Sequence, residues 1–532
     1  MGCRNTINQE TRLKRTVVFL IAANGVSLFS GLLRELFVAY ILGTSAGADV
    51  LALGLFWVES VSVVVLHGFL GYALVPVVAR LNAEGKETEI WRLTETLMPW
   101  LASVGLPIAL VAWWYPGEIA GFLAPGFSPE QQALWAQLLP WTVTSMLVMG
   151  LGLILAAVLQ ARASYWGPTL GRSVFNLVFV IVLLASAAVA VSWSSARCAG
   201  IGLLLGSVFY LLLQLHSLWR MGMRWSGPRW WHPSLPDVLT TALPTLLTSL
   251  LVTVGMGGGQ RYLASTLPEG SIAALSYAQR ITGLVSGLSL ALLTVSLTEI
   301  AREYADRNSV EAGKKAVQSS LSLALAFVVP SAALLIVLAR PLCNLLLMRG
   351  SYDEHSLEMT LQCVHWFAVA LIPGVIWGVL DRTGAATWQP WRSVRVAILQ
   401  VATVIGGTVI LLPHWGMEAI PMAFSGGMIV AAIAGYFTFR QYIGQECLKM
   451  LVLSLLKCLM AAIAAGVLVE MGAILLADSW GESTYMLDQV LVLVASTCGF
   501  SLIYLASSFA LRNSEVRRLI LKITQTRPIP NS

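Results

Sequence analysis

The chain has 532 residues, 57% hydrophobic and 11% charged, with a net charge of +6. A soluble domain carries about 25% charged residues, so apolar runs recurring at this low charge exclude an ordinary soluble fold and place the chain in a bilayer. The positive balance does not point to nucleic acid, because the basic residues lie between the apolar runs, where they act as topology signals.

In chain order, residues 1–15 are polar and basic and read as a cytoplasmic N-terminal segment. The apolar run behind them is too long for a cleaved signal peptide and reads as an uncleaved first helix. Apolar runs predict spans at 16–42, 49–79, 96–123, 134–158, 168–192, 198–219, 237–258, 270–299, 316–340, 358–380, 393–413, 417–439, 450–476 and 488–511, about fourteen transmembrane helices. With the N-terminus inside, twenty-six loop Lys and Arg residues fall on the inner side and four on the outer, namely Arg197, Arg261, Arg340 and Arg349. That asymmetry predicts cytoplasmic N- and C-termini. The loop charges themselves are explained by topology and headgroup contact.

Asp49 to Arg80 and Ser271 to Arg302 are weak copies of one another at an offset of 222 residues. An even number of spans separates them, which gives two parallel six-helix lobes. The expected layout is a first lobe at 16–219, a cytoplasmic loop at 220–236, a second lobe at 237–440, two further helices within 450–511, and a basic cytoplasmic tail at 512–532. Prolines such as Pro99, Pro107, Pro140, Pro244, Pro330 and Pro373 can kink these helices, as a rocking transporter needs, or simply be ordinary membrane-helix prolines.

Charged side chains inside a bilayer are costly and mark function. Those read as lying in the membrane interior, rather than near a span end, are Arg34 and Glu35 in the first span, Asp49 and Glu59 in the second, Arg280 in the eighth, and Lys457 and Glu470 in the thirteenth. Arg34 and Arg280 fall at equivalent depths, about 12 and 15 Å below the outer surface, one in each lobe. Two guanidinium groups facing one cavity suit a diphosphate. The plainer alternative pairs Arg34 with Asp49 or Glu59, and Arg280 with Glu59; a resting pair that opens for substrate reconciles the two. Glu35, next to Arg34, points about 100° away on a helix and is expected to serve packing or an ion step. Lys457 can snorkel to the inner headgroups. His67 reads as a satisfied interior polar group, and Gly257-Gly258-Gly259 as a place of close helix approach or a flexible helix end. The seven cysteines are scattered without a CxxC pair, which argues against a disulfide framework or metal site. No Walker, HExxH or Ser/His/Asp pattern occurs, so neither catalysis nor a cofactor is expected.

Several segments resemble one family. SGLLRELFVAYILGTSAGAD (30–49), with Arg34-Glu35, Gly43 and Asp49, resembles the first-helix signature of the lipid II flippase family MurJ. ALVPVVARL (73–81), LASTLPEGSIAALSYAQRI (263–281), LMRGSYD (347–353) and DRTGAATWQP (381–390) resemble further motifs of that family, in the same order and spacing. The resemblance implies an all-α fold of two six-helix lobes in a V around a cationic cavity. It also implies two C-terminal helices forming a groove for a lipid tail. Carried over by position, Arg34 and Arg280 match the family's cavity arginines and Asp49 its helix-two aspartate. Glu59 and Glu35 join Asp49 as ion-pair or gating candidates.

The sequence departs from that pattern at Leu28 and Ser62-Val63, where the family has basic residues, and at Gly283, where it has an acid. The implied activity is flipping of an undecaprenyl-diphosphate-linked saccharide, lipid II or a related envelope precursor, across the bacterial inner membrane by alternating access. Its partners would be that lipid, the surrounding membrane lipids, and glycan polymerase or glycosyltransferase machinery. The alternatives are a multidrug or cation antiporter of the same superfamily and a non-transporting member of a glycan assembly complex.

Overall fold

A computed structural model describes residues 25–65, 74–162, 164–188, 196–305, 310–387, 389–444, 447–480 and 486–511. The N-terminal segment, His67 and the basic tail lie outside these residues. The described residues are helical with short connections and contain no strand. A bilayer core offers no water to unpaired backbone groups, and helices satisfy those groups internally. Twelve helical stretches are long and apolar enough to cross a membrane, and one of them, Pro390–Ile443, runs through two helices. The expected helical architecture is therefore present, while this number does not confirm the count of fourteen. The chain forms two compact units, divided between Ala273 and Ala274.

The first unit begins with α1 (Gly25–Leu42) and α2 (Ala46–Ser62). The short α3 (Val75–Ala83) follows, then α4 (Glu87–Trp114) and α5 (Pro116–Leu123). The predicted span at 96–123 is thus two helices, broken at Tyr115 because Pro116 cannot donate to the preceding turn and starts a new one. α6 (Pro129–Ala161) is the central helix, packing against α2, α3, α4, α5 and α8 (Ala196–Arg220). α7 (Trp166–Ala188) lies on α8. The α6–α8 contact is close because Gly152 has no side chain: a Cβ there would meet the Tyr210 ring at 2.6 Å.

The last span of this unit, Leu235–Ala264, is an α-helix (α9, Leu235–Leu250), a π-helical stretch (Leu251–Gly258) and a final turn (α10, Gly259–Ala264). It runs six residues past the predicted end at 258, which carries Arg261 out of the loop assigned to it and into the helix. Of the two readings of the glycine run, close approach is the one present: a Cβ on Gly257 would stand 3.1 Å from the Phe56 ring of α2. π segments are rare and concentrate at functional sites.

The segment Met221–Ser234 is irregular but firmly held on α4. Glu95, fully buried, accepts from the Ser226 amide (2.5 Å), the Ser226 hydroxyl (2.8 Å) and Arg229 Nε (3.0 Å). Trp100 donates to the Trp230 carbonyl at 3.0 Å, and His232 Nε2 lies 3.2 Å from Glu89.

The second unit takes over inside α11 (Ser271–Ala305) and continues with α12 (Val310–Val337) and α13 (Ala339–Leu347). α14 (Glu354–Ala386) packs on α12 and on α16 (Ala419–Ile443); α15 (Pro390–Trp415) packs on α16. Asp353 caps α14 by accepting from the Ser356 amide at 2.9 Å. Tyr352 beside it is buried, donates to Thr360 at 2.7 Å and packs edge-on against Tyr277. α17 (Cys447–Trp480) and α18 (Met486–Ala510) pack on one another, and α17 also on α12.

Candidate functional site

Two constellations occupy the two ends of α2. At its last turn, Arg34 reaches over from α1 and is completely buried. Its Nη1 donates to Asn176 Oδ1 on α7 at 3.0 Å, and Asn176 Nδ2 donates to the Ser30 hydroxyl at 3.0 Å. Its Nη2 stands 2.7 Å from Glu35 Oε1 and 2.7 Å from Glu59 Oε1. Its Nε has no hydrogen-bond partner among the described residues. Of the two alternatives for Arg34, the pair with Glu59 is the one present.

The contact with Glu35 corrects the sequence reading. Neighbouring residues do point apart at Cβ, but an arginine side chain is long enough to fold back over the adjacent carboxylate. The three groups differ in access: the Arg34 and Glu35 side chains are buried, whereas that of Glu59 is 46% exposed.

Arg261 belongs to this neighbourhood. It is buried, its guanidinium lies 3.7 Å from the centre of the Phe56 ring, and its Nη1 donates to the Gly257 carbonyl at 3.3 Å. Phe56 and Glu59 are one turn apart on α2 and so share a face. The charges of Glu59 and Glu35 are near enough to act on the Arg261 guanidinium. Two arginines and two glutamates thus form one cluster with balanced formal charge. Sequence reasoning counted Arg261 among the outer loop charges. The available signal was its spacing, directly behind three glycines where backbones can approach.

At the other end of α2, Asp49 is buried and accepts from neutral donors. These include the Gly270 amide (2.7 Å), the Ala273 amide (2.8 Å) and Gln131 Nε2 (3.0 Å). Gln131 is itself part of a capping box with Ser128 at the start of α6. In return, the Ala46 amide that opens α2 donates to Glu269 Oε1 at 2.5 Å. The beginnings of α2, α6 and α11 therefore meet around one carboxylate, where their aligned dipoles favour negative charge.

Gly270 makes the meeting possible. It has φ +90°, and a Cβ on it would stand 2.5 Å from the Thr44 carbonyl oxygen. Gln131, Glu269 and the two amides were invisible in sequence, because nothing in a periodic pattern ties residue 49 to residues 131 and 270. Arg280 lies on α11 in the second unit and is partly buried. Lys457 is likewise partly buried, and Glu470 is exposed.

Comparison with known proteins follows the same lines. A family model described as lipid II flippase MurJ matches residues 38–491. The probable lipid II flippase MurJ of Rhizobium meliloti is 26% identical over 409 residues, covering 71% of this chain and 72% of that protein. The probable lipid II flippase MurJ of Bdellovibrio bacteriovorus is 24% identical over 361 residues, covering 65% and 66%. Among solved structures, lipid II flippase MurJ in an inward closed conformation superposes with a TM-score of 0.73 at 19% identity, over 93% of this chain and 99% of that one. An inward-facing multidrug resistance MATE transporter superposes with a TM-score of 0.66 at 16% identity, over 81% and 99%. At such identities the structural likenesses establish the fold.

Proposed function

The chain belongs to the lipid II flippase MurJ family, a family of multi-pass transporters of the bacterial inner membrane, and on that premise we propose that it flips a polyprenyl-diphosphate-linked saccharide, lipid II or a close relative, from the inner to the outer leaflet by alternating access. One observation carries the reading: a completely buried arginine, Arg34, held by two carboxylates of which Glu59 is half exposed. A buried guanidinium presents its donors in a fixed fork that matches phosphate oxygens. A half-exposed partner is one that an incoming anion can replace.

In this proposal Arg34 and Arg280 meet the diphosphate, Glu35 and Glu59 hold Arg34 between transport events, and Asp49 fixes the helix beginnings of the closed state. The polyprenyl tail stays in the lipid phase beside α17, which exposes Ile463 and Val467, and α18, which exposes Val494 and Leu502. A glycosyltransferase supplies the substrate on the inner side and a glycan polymerase consumes it on the outer side. A related envelope glycan is the second reading, favoured by Leu28 and Ser62-Val63, which stand where the family has basic residues.

The test is depletion of the protein, followed by identification of the polyprenyl-linked sugar that accumulates on the inner leaflet. Lipid II accumulation supports the first reading, and a different glycan the second. Arg280→Ala is expected to abolish flipping with normal membrane levels, and full activity of that variant sinks diphosphate docking.

A further inference from the structure

Arg261 plays no part in the mechanism above, yet it is the other buried cation of the first unit's charged cluster. We infer that Arg261 is a second oxyanion-binding side chain, and that Glu59 stands in the resting protein where one phosphate of a diphosphate would sit. The inference rests on the flippase reading.

Three observations carry it. First, Glu59 lies near both cations: its Oε1 is 2.7 Å from Arg34 Nη2, and it stands one helical turn from Phe56, on whose ring Arg261 is stacked. Second, Arg261 is aimed rather than loose. Its guanidinium is stacked at 3.7 Å on Phe56, one turn from Glu59, and its Nη1 is anchored at 3.3 Å on Gly257. An arginine oriented on an aromatic face loses little further freedom when it binds an oxyanion. Third, access is asymmetric. Arg34, Glu35 and Arg261 are buried, while the Glu59 side chain is 46% exposed. The member that can leave is the carboxylate, and its departure frees the Arg34 donor it holds, on the face of α2 against which Arg261 is stacked.

Charge balance gives the direction. In the resting cluster two cations face two anions. When Glu59 swings out, the site carries one net positive charge and two guanidinium forks, which suits two linked phosphates better than one. Arg261 also answers the departures at Leu28 and Ser62-Val63: the cation absent from α1 and α2 is supplied from the span that ends in α10.

The test uses the full chain, purified in phosphatidylcholine nanodiscs, with undecaprenyl diphosphate and undecaprenyl monophosphate as probes. Wild type is expected to prefer the diphosphate. Arg261→Gln should weaken diphosphate binding about tenfold, the worth of a charge-assisted hydrogen bond. It should move monophosphate binding less than about threefold, erasing the preference. Arg261→Lys should fall between the two. Glu59→Gln should tighten diphosphate binding.

Arg261→Gln leaves two carboxylates with one cation, so a variant that fails to fold is replaced by Arg261→Gln with Glu59→Gln, which restores balance and should still lack the preference. Arg261→Gln retaining the wild-type preference, or Glu59→Gln binding the diphosphate more weakly, overturns the inference alone. A wild-type chain that binds both lipids alike also overturns the inference, and one that binds neither overturns the flippase reading with it.

Discussion

Asp49 and Glu59 lie on the same helix about 15 Å apart, and both are carboxylates within a membrane span, yet they are satisfied in opposite ways. Asp49 is enclosed by backbone amides, those of Gly270 and Ala273 among them, and by an amide side chain, all neutral and all fixed by helix beginnings. Glu59 faces arginine and keeps nearly half of its side chain exposed. A carboxylate held by backbone donors can be released only by moving helices. One held by a charged side chain can be exchanged for another anion. The first arrangement makes a clasp and the second a replaceable counter-ion. Glu95 stands between them, taking two donors from Ser226 and one from Arg229.

The hardest blow to this contrast is Arg34→Met. It leaves Glu35 and Glu59 with Arg261 as the one cation of their cluster, and breaking a buried pair costs about 3–5 kcal/mol. A matching fall in thermal stability in detergent, with loss of growth rescue in depleted cells, is the expected outcome; wild-type stability would show that the pairs are dispensable. Asp49→Ala comes next. Losing a charged acceptor from buried amides costs about 1.5–3 kcal/mol, and hydrogen exchange should speed up at the Gly270 and Ala273 amides. Asp49→Asn should lose about half as much, because its oxygen still accepts.

Glu95→Ala should cost about 1–3 kcal/mol and open residues 222–234 to protease without touching the Arg34 cluster. Glu59→Gln sharpens the contrast from the other side. With a half-exposed partner, the stability change should stay within about 1 kcal/mol, while diphosphate binding tightens. A large loss of stability in Glu59→Gln would make the two ends of α2 alike.

The smallest effect concerns His232. Its burial holds the imidazole below the ordinary value of 6.5, against the opposing pull of Glu89. The unfolded chain therefore binds that proton more readily, and stability is lost as pH falls below about 6.5 and is level above it. The melting temperature should drop between about pH 7.5 and pH 5.5, and His232→Gln should flatten part of that slope.

Sequence alone determined the class of fold and the outline of the site. Apolar runs long enough to cross a bilayer must become helices, because only helices pair their own backbone there. Arg34, Glu35, Asp49 and Glu59 stood out because ionised groups in such runs are rare. What the sequence misplaced were matters of a few residues or of long reach. Arg261 read as a loop charge because hydropathy fixes a helix end only to within a turn or so, and here the helix runs on past 258. Glu35 read as turned away because helical spacing positions Cβ atoms, not the ends of long side chains.

Only the tertiary structure could decide what each carboxylate faces. The partners of Asp49 are 82, 221 and 224 residues away, and that of Glu59 is an arginine on another helix. Whether a membrane carboxylate is a clasp or a counter-ion depends on the donors around it, and packing, not the local run of residues, brings those donors there.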